Sequence, residues 1–192
     1  MARVLLFHHA QGLTAGVEAF ADRLRAGGLE VVTPDLFDGR SFESIERGVA
    51  HAEEIGFAEV IDRGARAADA ISGPTVFAGF SLGVLPAQML GQTRADAAGA
   101  LLFHSCLPAT QFGTGWPDGV PVQVHAMEAD PWFVDDGDLD SARALVAATD
   151  SAQLFLYPGS DHLFTDSSLA AHDAESTELL LERVAAFLAA VG

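Results

Sequence analysis

Short apolar runs alternate along this chain with longer stretches whose apolar positions recur at helical spacing. Arg3 to His8 is a run of strand type, and Val17 to Ala26 puts Val17, Phe20, Ala21 and Leu24 on one helical face before Gly27-Gly28 stops it. Glu30 to Pro34 reads as a second strand. Two strands joined by a helix predict a right-handed βαβ unit and a parallel sheet. Asp35 to Arg47 is turn-rich and acidic, after which Ala50 to Ala70 returns to helical spacing through Ile55, Val60 and Ala67. Thr75 to Ala78, opened by a Gly-Pro break, is a short buried strand, and Leu82 to Leu90 is a helix with Pro86 near its first turn. Proline there lacks an amide proton and crowds the carbonyl of Leu82, so a distorted or delayed helix start is expected. Ala98 to His104, Val120 to Ala126 and Ala152 to Tyr157 complete the strands. Asp138 to Ala148 and Glu178 to Val191 are helices, the last turning Leu180, Val184, Phe187 and Leu188 inward. Strands this continuous in hydrophobicity are covered on both faces. The expected architecture is a mostly parallel central sheet of about six strands with helices on both faces, in a single domain over residues 1–192.

Gly79-Phe80-Ser81-Leu82-Gly83 lies between the third strand and its helix. A strand that reverses into a helix within one or two residues strains the serine, and side chains beside it would collide across the bend. Glycine on both flanks removes them, and the arrangement is that of a nucleophile elbow. Any tight strand-to-helix turn could carry the bare pattern, so the other loops decide. In open parallel sheets ligands bind beyond the carboxyl ends of the strands. Met127-Glu128-Ala129-Asp130-Pro131 follows one strand there and Pro158-Gly159-Ser160-Asp161-His162 follows the last. The order Ser81, Asp130, His162 is that of the α/β-hydrolase fold. A serine hydroxyl is a weak nucleophile, so it needs His162 as general base and an acid to fix the imidazole. Asp130 is the first choice for that acid, with Glu128, Asp135 and Asp136 as alternatives. An oxyanion hole needs two amides: one is expected from Leu82 and the other from the loop His8-His9-Ala10-Gln11-Gly12, Ala10 first and Gln11 next.

The charge balance narrows the partners. Ten basic residues stand against 27 acidic ones, a net charge of -17 with a pI near 4.4, which repels nucleic acid and anionic membranes. The single cysteine, Cys106, cannot form an internal disulfide. No apolar run approaches 18 residues and nothing resembles an export signal, so a cytoplasmic location is expected. His8 and His9, with His104 or His125, lack the spacing of a zinc protease, and neither metal nor cofactor is expected. Cys106 follows a strand but has no elbow around it, and a buried structural thiol is its expected role.

Phe7-His8-His9-Ala10-Gln11-Gly12, Pro34-Asp35-Leu36-Phe37, the elbow, Asp130, Gly159-Ser160-Asp161-His162 and Asp173-Ala174-Glu175 together resemble the dienelactone hydrolase family over nearly the whole chain. The resemblance implies hydrolysis of esters and lactones, with Ser81, His162 and Asp130 in the catalytic roles. Three departures stand out. The best-known members use cysteine where this chain has Ser81, a glutamate where it has His9, and a carboxylate-binding arginine where it has Asp166. An uncharged ester, lactone or thioester is therefore the expected substrate. His9, Gln11, Trp132 and Phe164 are the expected substrate contacts, with Phe7 and Phe133 as further apolar wall. The expected partner is thus a small molecule, with association as a homodimer left open. The competing reading is a catalytically silent fold of the same type that binds a ligand.

Overall fold

The computed structural model describes residues 3–192. Its strands are β1 (Arg3–Phe7), β2 (Val31–Val32), β3 (Thr75–Phe80), β4 (Ala97–Phe103), β5 (Val122–Met127) and β6 (Ala152–Tyr157). They form one sheet in the order β2-β1-β3-β4-β5-β6, and every neighbouring pair is parallel. The helices are α1 (Ala15–Ala26), α2 (Ile45–Ile55), α3 (Phe57–Asp69), α4 (Val84–Thr93), α5 (Pro131–Val134), α6 (Asp138–Ala148) and α7 (Ala174–Val191). This is the α/β-hydrolase fold. The chain first runs from β1 outward to β2, then returns past β1 to β3 and proceeds the other way. The crevice between the ends of β1 and β3 is therefore the switch point where open α/β sheets bind ligands.

Two cores sandwich the sheet because side chains alternate across it. Leu5, Phe7, Phe77, Leu102 and Val124 face α2, α3, α4 and α6 through Ala52, Val60, Ala68, Leu90, Ala142 and Leu145. Val4, Leu6, Val76, Leu101 and Phe103 face α1 and α7 through Phe20, Leu24, Leu180, Val184 and Phe187. Phe7 pairs with Gly79 and Phe80 with Phe103, so β1, β3 and β4 end level with one another.

Several boundaries differ from the expected ones, each for a local reason. The long helix expected over 50–70 is two helices, parted at Gly56, whose φ of 87° is open to glycine at little cost. The first of them starts at Ile45, inside the stretch expected to be turns, because Ser44 caps it by accepting from Arg47 N–H at 3.3 Å. β2 shrinks to Val31–Val32 at the sheet edge. The last helix begins earlier, at Ala174, because Asp173 accepts from Ser176 N–H at 2.7 Å. The helix after the elbow does start late: Ser81–Gly83 is a 3₁₀ turn and α4 begins at Val84. Among the described residues no helix is long and apolar enough to cross a membrane.

Candidate active site

The tip of the turn after β3 holds Ser81 at φ 49°, a left-handed conformation that a non-glycine residue adopts only under constraint. The constraint is packing. A Cβ on Gly79 would lie 2.1 Å from Gly83 O, and one on Gly83 would lie 2.5 Å from Phe7 O. The two glycines let the turn close on itself and press against the end of β1.

Asp130 and His162 converge on this serine from the ends of β5 and β6. His162 Nε2 lies 2.9 Å from Ser81 Oγ, and His162 Nδ1 lies 2.6 Å from Asp130 Oδ2. Asp130 is fully buried, and its other oxygen accepts from Trp132 N–H at 3.0 Å, capping α5. The helix-cap role open to any loop aspartate and the contact with His162 thus belong to the same residue, one oxygen each. Glu128, Asp135 and Asp136 are all exposed and make no such contact with the imidazole. With Nδ1 donating to the carboxylate, Nε2 presents its lone pair to the hydroxyl, which is the polarity a general base requires. After His162 the backbone turns left-handed at Leu163, with φ 61°.

The remaining expected contacts separate. Trp132 is partly exposed and its ring lies 5.9 Å from that of His162, at the mouth of the site. Gln11 lines a cavity of about 290 Å³ beside His162, together with Glu43, Ile45, Glu46, Leu163 and Leu169, and its side chain is held by Phe42 O at 3.1 Å. Phe164 has no exposed surface, so its expected substrate contact is corrected: its ring packs on His104 and Tyr157 inside the molecule. Phe7 and Phe133 are likewise sealed in the core and form no substrate wall. His9 also turns away, being 1% exposed and 2.8 Å from Asp166 Oδ2. Asp166 in turn is buried, so it does not confront a substrate as expected. The acids that do line the cavity are Glu43 and Glu46, which sequence reasoning passed over because they sit in a stretch that reads as solvated turn. The Gln11 N–H donates to His9 Nδ1 at 3.2 Å, so that amide is already engaged.

His8, His104 and His125 each have a partner away from Ser81. His8 donates from Nδ1 to His9 O at 2.8 Å and accepts at Nε2 from Leu36 N–H at 2.9 Å, and burial lowers its pKa to about 4. His104 meets Thr165 Oγ1 at 2.8 Å, and burial, reinforced by the nearby His162 and His9, holds it well below the usual histidine range. His125 contacts Tyr157 OH at 2.9 Å and is lowered to about 3 by burial and Arg183. Among the described residues no three His, Cys, Asp or Glu side chains gather to hold a metal ion.

Cys106 is fully buried, and burial with Asp138 nearby pushes its thiol up to about 12. Ellman's reagent at pH 8 is expected to leave the native protein unlabelled and to react with one thiol in denaturant. Rapid native labelling would show that the loop after β4 opens.

A wider apolar groove, of about 480 Å³ between Leu24, Leu29, Leu181 and Leu188, lies at the C-terminal ends of α1 and α7, away from Ser81. It carries no nucleophile.

Comparison with known proteins bears on the fold and the family. The model of the dienelactone hydrolase family matches residues 1–192. No curated protein sequence matches the chain significantly. Among solved structures, a dienelactone hydrolase-like promiscuous phosphotriesterase from metagenomic libraries superposes with a TM-score of 0.82 at 19% identity, covering 100% of this chain and 87% of that one. A Klebsiella pneumoniae protein assigned as a dienelactone hydrolase gives 0.77 at 18% identity, with 98% and 87% covered. A cold-adapted esterase from an Arctic intertidal metagenomic library gives 0.62 at 18% identity, with 96% and 82% covered. At such identities the structures speak for the fold, and the family model speaks for descent. The chain is a hydrolase of the α/β fold and belongs to the dienelactone hydrolase family.

Proposed function

We propose that this protein is a serine hydrolase that cleaves a small uncharged ester, lactone or thioester through an acyl-enzyme intermediate. The observation that carries the reading is the unbroken line of hydrogen bonds from Asp130 through His162 to Ser81, at 2.6 and 2.9 Å. Ser81 Oγ attacks the carbonyl carbon while its proton passes to His162 Nε2, and the buried Asp130 carboxylate stabilises the imidazolium. The amides of Leu82 and Ala10 receive the negative oxygen. Collapse expels the alkoxide or thiolate, which takes the proton from His162, and water then repeats the attack on the acyl-serine. A fluorophosphonate probe tests the reading: it should label the native chain once, at Ser81, and not label Ser81→Ala. An unlabelled wild type would favour a silent, ligand-binding member of the fold.

One part of the substrate would lie in the cavity beside His162, whose lining includes His162 but not Ser81. The cavity's volume, about 290 Å³, suits a short acyl or alcohol group. Glu43 and Glu46 at its rim oppose a second carboxylate, an effect that salt screens because both are exposed. Phenyl acetate is expected to exceed its ring-carboxylated analogue in kcat/KM several-fold at low salt, and Glu43→Gln with Glu46→Gln should narrow the gap. Equal rates on the two substrates in the wild type would show that the leaving phenol does not lie beside Glu43 and Glu46.

A further inference from the structure

Two loops must keep fixed positions relative to Ser81 for the proposed chemistry: the turn after β1 that presents the Ala10 amide, and the loop after β6 that carries His162. A buried pair joins them. His9 Nε2 lies 2.8 Å from Asp166 Oδ2, and both side chains are 1% exposed. The protonation follows from the neighbours. Gln11 N–H can only donate, so His9 Nδ1, 3.2 Å away, must accept, and the ring proton sits on Nε2 facing the carboxylate. Asp166 takes three further bonds, from Thr14 Oγ1, from Ser168 N–H at 2.8 Å and from Ser168 Oγ at 2.6 Å. Burial alone would raise its pKa, but the bonds from His9, Ser168 and Thr14 outweigh that and bring it to about 2, so it is a carboxylate at neutral pH.

The surroundings are shaped to admit this pair. A Cβ on Gly16 would lie 1.7 Å from Asp166 Oδ1, so only glycine at the start of α1 leaves room for the carboxylate. The turn is closed by Gly12 N–H to His9 O at 3.0 Å and tied outward by Phe42 N–H to Gln11 O at 3.0 Å. A Cβ on Gly48 would lie 1.8 Å from Ala10 O, so α2 abuts the same peptide. On the other loop, Asp166 N–H donates to Leu163 O at 2.9 Å, one residue past His162.

We propose that His9 and Asp166 are positioning residues, one hydrogen-bonded unit that sets the Ala10 amide and the His162 imidazole against each other. The inference rests on the serine-hydrolase reading above. It gives His9 a purpose that needs no contact with substrate: its Nδ1 holds the turn from inside while its Nε2 holds the partner loop.

Stopped-flow acylation of the full chain by p-nitrophenyl acetate tests it. His9→Phe and Asp166→Asn are each expected to slow acylation about a hundredfold with KM changed less than about threefold, because displacement of a reacting group by an ångström costs about that much. The double variant should be no slower than the slower single, since one unit cannot be broken twice. Single variants within threefold of wild type, or losses that multiply in the double, would overturn the clamp. Acylation that persists in Ser81→Ala would overturn the serine reading and the clamp with it, whereas its loss there leaves the His9 and Asp166 variants to judge the clamp alone. Nitrogen-15 NMR of the wild type needs no variant to fold: His9 should be neutral and protonated on Nε2, and a proton on Nδ1 would overturn the arrangement.

Discussion

Ser81→Ala is expected to lower kcat/KM on short p-nitrophenyl esters by about 10³- to 10⁶-fold, the range typical when a member of such a triad is removed. Only binding and the oxyanion donors would remain to speed the reaction. The fold should be indifferent to the change. Ser81 Oγ contacts His162 Nε2 at 2.9 Å, and alanine faces the same left-handed backbone strain at φ 49° that serine already bears. Circular dichroism and the thermal midpoint should therefore stay close to those of wild type while turnover disappears. The thiol of Cys106 offers no second route, being fully buried and pushed up to about 12. A Ser81→Ala protein that keeps most of its turnover would sink the acyl-enzyme mechanism.

Gly83→Ala is expected to be strongly damaging for a substitution that adds a single methyl group. Gly83 has φ -64° and ψ -12°, which any residue adopts, so conformational freedom is not why it is glycine. Space is. The added methyl would lie 2.5 Å from Phe7 O and 2.6 Å from His8 O, both backbone atoms at the end of β1 that no rotamer change can move. The turn must then lift off the sheet, at a cost of about 3 kcal/mol in stability, the upper range for overpacking. It also carries Ser81 away from Ala10, so activity should fall with stability. Gly113→Ala is the control: a methyl there meets nothing nearer than Gly115 O at 3.9 Å, and should change stability by less than about 0.5 kcal/mol. Urea unfolding of the three proteins checks this. Equal midpoints for Gly83→Ala and wild type would mean that the elbow does not press on β1.

That Ser81, His162 and Asp130 would lie together was legible because each combines a chemically special residue with a place just after an apolar run. Such a run reads as a strand, and in a parallel sheet every strand ends on the same side. Trp132 and Gln11, near these positions in sequence, do lie beside His162. Phe164 and His9 are equally near in sequence and point the other way. Which way a side chain leaves a loop depends on what the rest of the molecule packs there. In Phe164 that is His104 and Tyr157; in His9 it is Asp166, distant by most of the chain. Asp166 was misread for the same reason, since a charged residue near a site looks like a substrate contact until its four donors are seen.

By itself the sequence determined the alternation of strands and helices and the parallel sheet, because hydrophobic period and turn composition are local signals carried by neighbouring residues. It also foretold the late start of α4, because a proline's missing amide acts within one turn. Tertiary structure alone decided that His9 faces Asp166 rather than a ligand, that Glu43 and Glu46 border the cavity, and that Gly16, Gly48 and Gly83 are glycine for lack of room. Each of these depends on contacts between segments far apart in the chain, and burial, not residue type, settles whether a polar group is free to act or already held.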